Sequence, residues 1–141
     1  MTVLVHMAVG AATGTLLAGR GAAFLAGVVG HVPLDLIPHY EFEKMWVEAA
    51  VAAAFFGGLI AAGFGGSGVF WGALGAVLPD LENLLWRVGV LPERAKVFPG
   101  HSGRYKRFLR HGAQLGVEHA WWQAAIAAGA ALVVARHLAM N

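Results

Sequence analysis

The 141-residue chain is 58% hydrophobic before its 20 glycines are counted, and only 13% of it is charged, about half the ~25% usual for soluble domains. So few polar residues cannot coat a soluble domain, and so much apolar surface excludes a disordered chain. The length allows one domain, residues 1–141, and the expectation is an all-α, polytopic membrane bundle of about five helices.

In chain order, Val3 to Ala18 reads as a short apolar helix, closed by Gly19-Arg20-Gly21. It lacks a basic leader and an A-x-A site, so it is not read as a removable signal. Ala22 to Ile37 forms a second helix that Pro38 stops. At ~1.5 Å per residue both reach only about 24 Å, short of a ~30 Å hydrocarbon core, so whether they span fully is open. After the polar stretch from His39 to Lys44, Met45 to Phe64 is a good span and Gly65-Gly66-Ser67-Gly68 a tight turn. A fourth span, Val69 to Val88, is interrupted by Pro79. Gly89 to Gly112 is hydrophilic, and Ala113 to Leu138 is the last span. Glycine and alanine three or four apart, as at Gly27 and Gly30 or Gly72 and Gly75-Ala76, suit close helix packing in lipid.

Six of the ten Lys/Arg lie between Arg94 and Arg110, and positive-inside counting puts that loop in the cytoplasm. Alternating back gives an N-terminus inside and a C-terminus outside, in a bacterial or archaeal cytoplasmic membrane. Trp46, Trp86, Trp121 and Trp122 then fall near the inner interface, as aromatic belts do. The same count, which uses no histidine, puts His6, His31, His39, His101, His111 and His119 on the inner side. Asp35, Asp80 and Glu82 fall there too, with Glu48 and Glu118 at helix starts. Ionisable groups in a membrane usually mark a site. Interfacial placement accounts for Glu41, Glu43, Glu48 and Glu118, but not for Asp80, whose short side chain sits deep in a span.

Residues Gly27 to Leu36 align with Gly72 to Leu81 at a constant offset, matching both glycines, a valine and the Asp-Leu pair. The internal repeat extends over about 22–39 and 68–85. Each copy is expected to open at its proline and to present an aspartate, bringing Asp35 and Asp80 to one centre.

Without cysteine, any metal rests on His, Asp or Glu. His31-x-x-x-Asp35 puts both groups on one helical face, within reach of one metal or with the carboxylate bridging two; Asp35-x-x-x-His39 extends the series. Asp80-Leu81-Glu82 cannot share a face unless Pro79 opens the helix. The Pro99-Gly100-His101 loop can fold its histidine back over the site, and His111 and Glu118 lie two turns apart on the last helix. Such ligands suit zinc, manganese or iron alike. A bound ion would acidify a water, with Glu82 or Glu118 as general base. Arg104, Arg107 and Arg110 are candidates to hold a phosphate, or serve as ordinary positive-inside anchors.

The run Gly-His31-Val32-Pro33-Leu34-Asp35-Leu36-Ile37-Pro38-His39, together with Leu78-Pro79-Asp80-Leu81-Glu82, an early His6 and a late His101 loop, resembles the small inner-membrane metal-dependent hydrolases. Those are distantly similar to the zinc-dependent phospholipase C and P1 nuclease group. The resemblance implies zinc first among the metals, ligands drawn from His6, His31, Asp35, Asp80 and His101, and hydrolysis of a phosphoester, including one in a lipid. The second repeat departs from the pattern, with Ala76 where the first has His31.

The competing reading is a non-catalytic membrane protein that uses the cluster for metal binding, sensing or transport, although the outer half has few polar groups for a pathway. Gly65-Gly66-Ser67-Gly68 is similar to a rhomboid G-x-S-G, but five short helices are too few for that fold. H-E-x-x-H is absent. Nucleic acid is not an expected partner of the basic loop. Membrane lipid is the expected partner, and the many small residues allow a homodimer.

Overall fold

The computed structural model describes residues 1–105, 108, 109 and 111–140. It contains five α-helices: α1 (Val3–Gly14), α2 (Arg20–Leu36), α3 (Met45–Ala61), α4 (Gly68–Arg87) and α5 (Ala120–Met140). Short 3-10 turns occupy Glu93–Ala95, Gly103–Tyr105 and Val117–His119.

Helices α1, α2 and α4 pack on one another and carry nearly all of the buried surface. Glycine makes this possible. A Cβ at Gly72 would strike the Gly10 carbonyl, one at Gly14 the Gly68 carbonyl, and one at Gly75 the Phe24 carbonyl. The repeat glycines Gly27 and Gly72 meet each other, so the two repeats cross at equivalent positions. Gly30 faces open space. The backbones close to distances that only small residues allow.

Helix α3 has no buried residue and α5 has two, Gln123 and Ala130. Both are apolar around their circumference (Trp46, Ile60, Trp121 and Leu132 are 60–71% exposed). Among the described residues, Val117–Met140 is the one stretch long and apolar enough to cross a membrane by length and composition. Helix α1, with 12 residues, reaches about 18 Å.

Several boundaries differ from those the sequence predicts. Helix α1 stops at Gly14, where the Thr15 hydroxyl takes the Ala12 carbonyl at 2.7 Å. Helix α3 stops at Ala61 because Gly63 turns left-handed, at φ +82°. The helices do not open at their prolines: Pro33 lies inside α2 and Pro79 inside α4. The largest difference is the start of α5, at Ala120 rather than Ala113. The residues before it pair with the end of α2 instead. His39 N–H donates to the Ala113 carbonyl at 3.0 Å, and Leu115 N–H to the His39 carbonyl at 2.8 Å. Tertiary hydrogen bonds here override helix propensity.

Candidate metal centre

The alternation of the helices brings the start of α1, the ends of α2 and α4 and the start of α3 to one end of the bundle. His6 comes from the first turn of α1, His31 and Asp35 from the last turns of α2, and Asp80 from α4. Asp35 is the hub. His31 Nε2 and His101 Nε2 each lie 2.9 Å from its Oδ2, His6 Nε2 3.1 Å from its Oδ1, and His111 Nε2 3.6 Å away. Asp80, the repeat equivalent of Asp35, stands 3.7 Å from His31 and 3.9 Å from His101. The convergence of the two repeat aspartates is therefore present, although the helices stay closed at their prolines. His6, His31, His39 and Asp35 are at most 1% exposed.

Three further segments complete the cluster. The residue after α2, Ile37, is extended, and His39 follows with Nε2 2.8 Å from Glu41 Oε1. Gly112 N–H donates to the Asp35 carbonyl at 2.6 Å, one of those left open at the helix end, which sets His111 3.6 Å from Glu41 as well. Gly112 lies so near the Ile37 carbonyl that a Cβ would collide with it. His101 is carried by a loop that Glu82 fastens: its carboxylate accepts the N–H groups of Val97 and Phe98, the latter at 3.0 Å. The α-amino group of Met1 lies 3.2 Å from Asp35. Val3 N–H donates to Glu48 of α3 at 2.8 Å, and Thr2 N–H to Gln123 of α5 at 3.2 Å, so the open N-terminus of α1 is satisfied by the two outer helices.

The proton positions decide what this cluster can bind. His31 Nδ1 is 2.6 Å from the Ala76 carbonyl, His39 Nδ1 2.6 Å from the Ile37 carbonyl, and His111 Nδ1 3.2 Å from the Gly112 carbonyl. A carbonyl only accepts, so each Nδ1 carries the proton and each Nε2 faces a carboxylate. With Nδ1–H on a carbonyl, Nε2 either ligates a cation held beside the carboxylate or, in an imidazolium, donates to that carboxylate. Metal-bound histidines have this arrangement, with the far N–H held by a carbonyl and the near nitrogen free to ligate. His6 adds to the case. Its Nδ1 is buried without a hydrogen-bond partner, its Nε2 faces Asp35 at 3.1 Å outside hydrogen-bond geometry, and its ring stacks on His31 at 3.9 Å. Three groups have ligand atoms within 4.8 Å of one another: His6, His31 and Asp80; His31, Asp35 and His101; Asp35, His39 and His111. The residues fit a divalent metal, and the N/O ligand set does not choose among zinc, manganese and iron.

Outside the helices, Glu41 is held down at about 2, chiefly by its hydrogen bond to His39, and burial lowers His111. Glu41 is thus an anion at neutral pH and His111 a neutral ring, the forms in which each ligates.

All seven histidine and aspartate ligands expected from the sequence meet in these groups. The two proposed bases do not join them. Asp80 and Glu82 leave a closed helix in different directions, and Glu82 is occupied by the loop backbone. Glu118 lies in a 3-10 turn, its side chain 70% exposed and 3.7 Å from His119. Nor do His111 and Glu118 share a helix face, because α5 begins after both. Arg104 is exposed in its 3-10 turn; Arg107 and Arg110 lie outside the described residues.

Two residues were missed. Glu41 reads as interfacial in the sequence, yet it sits two residues from His39 in extended chain, a spacing that puts both on one side. Arg87 follows Asp80 by two helical turns, on the same face. Both line a cleft of about 290 Å³ between α3 and α4, which also takes in Asp80, His111 and Glu48. Compared with known protein families, curated proteins and solved structures, the chain has no significant match.

Proposed function

We propose that the protein is a membrane-bound, metal-dependent hydrolase that acts on a phosphoester at the cytoplasmic face. The observation that carries the reading is the shared geometry of His31, His39 and His111, each with Nδ1–H on a carbonyl and Nε2 turned to a carboxylate. Asp35 belongs to two of the three ligand groups, so its carboxylate would hold an ion together with the histidines around it. A divalent ion held there would acidify a water and polarise a phosphoryl oxygen.

The chain's own residues do the rest. His31, His101 and His6 hold the inner position with Asp35. Asp80, at the floor of the cleft and partly open to it, takes the proton of the attacking water. Arg87 at the rim faces the charge of the ester. Zinc is the first choice of metal through the family resemblance. The apolar surfaces of α3 and α5 and the candidate span Val117–Met140 support a membrane setting. The full polytopic arrangement, with N-terminus inside and C-terminus outside, belongs to the same proposal.

The test is metal content of the purified protein by mass spectrometry, wild type beside Asp35→Ala and Asp80→Ala, followed by turnover of phosphoesters. Stoichiometric metal, lost in Asp35→Ala and reduced in Asp80→Ala, is the expected result. A wild type that holds no metal after zinc or manganese is supplied overturns the reading. Stoichiometric metal without turnover of any phosphoester would favour a metal-binding or sensing protein.

A further inference from the structure

The cleft between α3 and α4 has two unlike parts. Its floor is Asp80, Glu41 and His111, which also belong to the metal centre or touch it. Its walls are mostly aliphatic, with Ala49 and Ala52 from α3 and Leu74, Val77, Leu78 and Leu81 from α4, and Glu48 and Asn83 also line the cleft. From Leu74 to Asp80 the wall runs about 9 Å along α4. Arg87 stands beyond the floor, on the line of Asp80 and two turns further on. Leu78 and Leu81 are 43% and 44% exposed, so the cleft opens sideways onto the apolar flank of the bundle.

A wholly polar occupant would leave its polar atoms against six aliphatic side chains. A wholly apolar one would leave the carboxylates of the floor facing hydrocarbon, which costs free energy unless each finds a partner. The room is also too small for a protein segment, since an α-helix with its side chains is about 10 Å across. What satisfies both ends is a slender amphiphile. We infer that the cleft binds the hydrocarbon chain of an amphiphile whose anionic, metal-binding head lies on the Asp80–Glu41–His111 floor and is met by Arg87. The inference rests on the hydrolase reading for its head group, and it names the substrate class: a lipid-like ester rather than a water-soluble one.

The test uses the full chain in nanodiscs of neutral lipid, with metal content measured on the same sample. An alkyl phosphate carrying a diazirine at the end of its chain is photolysed, and the labelled peptides are mapped. Butyl, octyl and dodecyl phosphate, octanoate and octyl glucoside serve as competitors. The expected label falls on residues 45–52 and 74–81. Compared at equal mole fraction in the lipid, competition should rise from butyl to octyl phosphate and level off once the walls are covered. Octyl phosphate and octanoate should both exceed octyl glucoside, and their ratio tells whether the head is a phosphoryl or a carboxyl group. Arg87→Gln should weaken the two anions and leave the glucoside unchanged. Ala49→Trp, at an exposed position, should abolish labelling with metal content intact.

Labelling that ignores chain length, persists in Ala49→Trp, or favours the open surface of α5 overturns the inference. So does competition by octyl glucoside equal to that of octyl phosphate. Labelling of the cleft in a protein that holds no metal would sink the hydrolase reading and leave the amphiphile site standing. A metal-loaded protein without chain-length dependence does the reverse.

Discussion

The trio α1, α2 and α4 and the outer helices α3 and α5 have similar apolar compositions but opposite relations to their neighbours. In the trio, glycine lets backbone meet backbone: a Cβ at Gly10, Gly14, Gly27, Gly72 or Gly75 would strike a carbonyl of a neighbouring helix. In α3 no residue is buried, and its glycines Gly57 and Gly58 have nothing within 4 Å. Hydrophobicity alone therefore does not say which helices form the core. The trio supplies the rigid frame that holds His6, His31, Asp35 and Asp80 to fixed positions. The outer helices close the frame through Glu48 and Gln123, which take the free N–H groups of α1, and they leave the cleft along one side.

The strongest way to break this contrast is to give each region the same substitution. Gly72→Leu should prevent folding or cost upwards of about 4 kcal/mol, because its side chain would enter the Gly10 backbone. Gly57→Leu on α3, facing open space, should stay within about 0.5 kcal/mol. Thermal unfolding in detergent compares the two, and equal losses would deny the trio its special role.

Next in size is the segment that joins the site to the frame. Gly112→Ala should push the segment 111–115 off the Ile37 carbonyl, at about 1–3 kcal/mol, and lower metal affinity by moving His111. Metal titration of the variant, alongside a circular dichroism melt, checks both effects.

A smaller effect distinguishes the two glutamates that sequence reasoning treats alike. Glu82→Ala frees the N–H groups of Val97 and Phe98 and loosens the loop of His101, so metal should bind about 10- to 100-fold more weakly. Glu118→Ala, in an exposed turn, should leave metal affinity unchanged. The reverse order would mean that Glu118 reaches the site.

The smallest effect is on acid stability. Glu41, at about 2 against an ordinary 4.5, is more readily ionised in the folded protein. Its contribution is fully present above about pH 4.5 and is lost as pH falls towards 2. In metal-free protein, Glu41→Gln should flatten the fall in melting temperature across that window. An unchanged slope would show that the His39–Glu41 contact carries no linkage.

The sequence by itself determined that the chain is all helical, that it turns at its glycines, and that His31 and Asp35 share a face, because each is a local property of spacing and composition. The offset repeat also pointed to Asp80 beside Asp35, and the close crossing of α2 and α4 at Gly27 and Gly75 brings the two aspartates to one centre. Two local arguments failed. Pro33 and Pro79 were expected to open α2 and α4, but both helices stay closed, and Glu82 therefore leaves α4 in a different direction from Asp80. Residues 113–119 have an apolar pattern that continues into α5, yet Gly112 N–H donates to the Asp35 carbonyl at the end of α2 and the Ala113 carbonyl accepts from His39 N–H, which delays the helix. The parts that only the tertiary structure decided are Glu41 beside His39, Arg87 in line with the cleft, and the three Nδ1–H groups on backbone carbonyls. His31 reaches a carbonyl on another helix, while His39–Ile37, His39–Glu41 and His111–Gly112 join near neighbours in irregular chain, where no helical or strand period fixes the direction of a side chain.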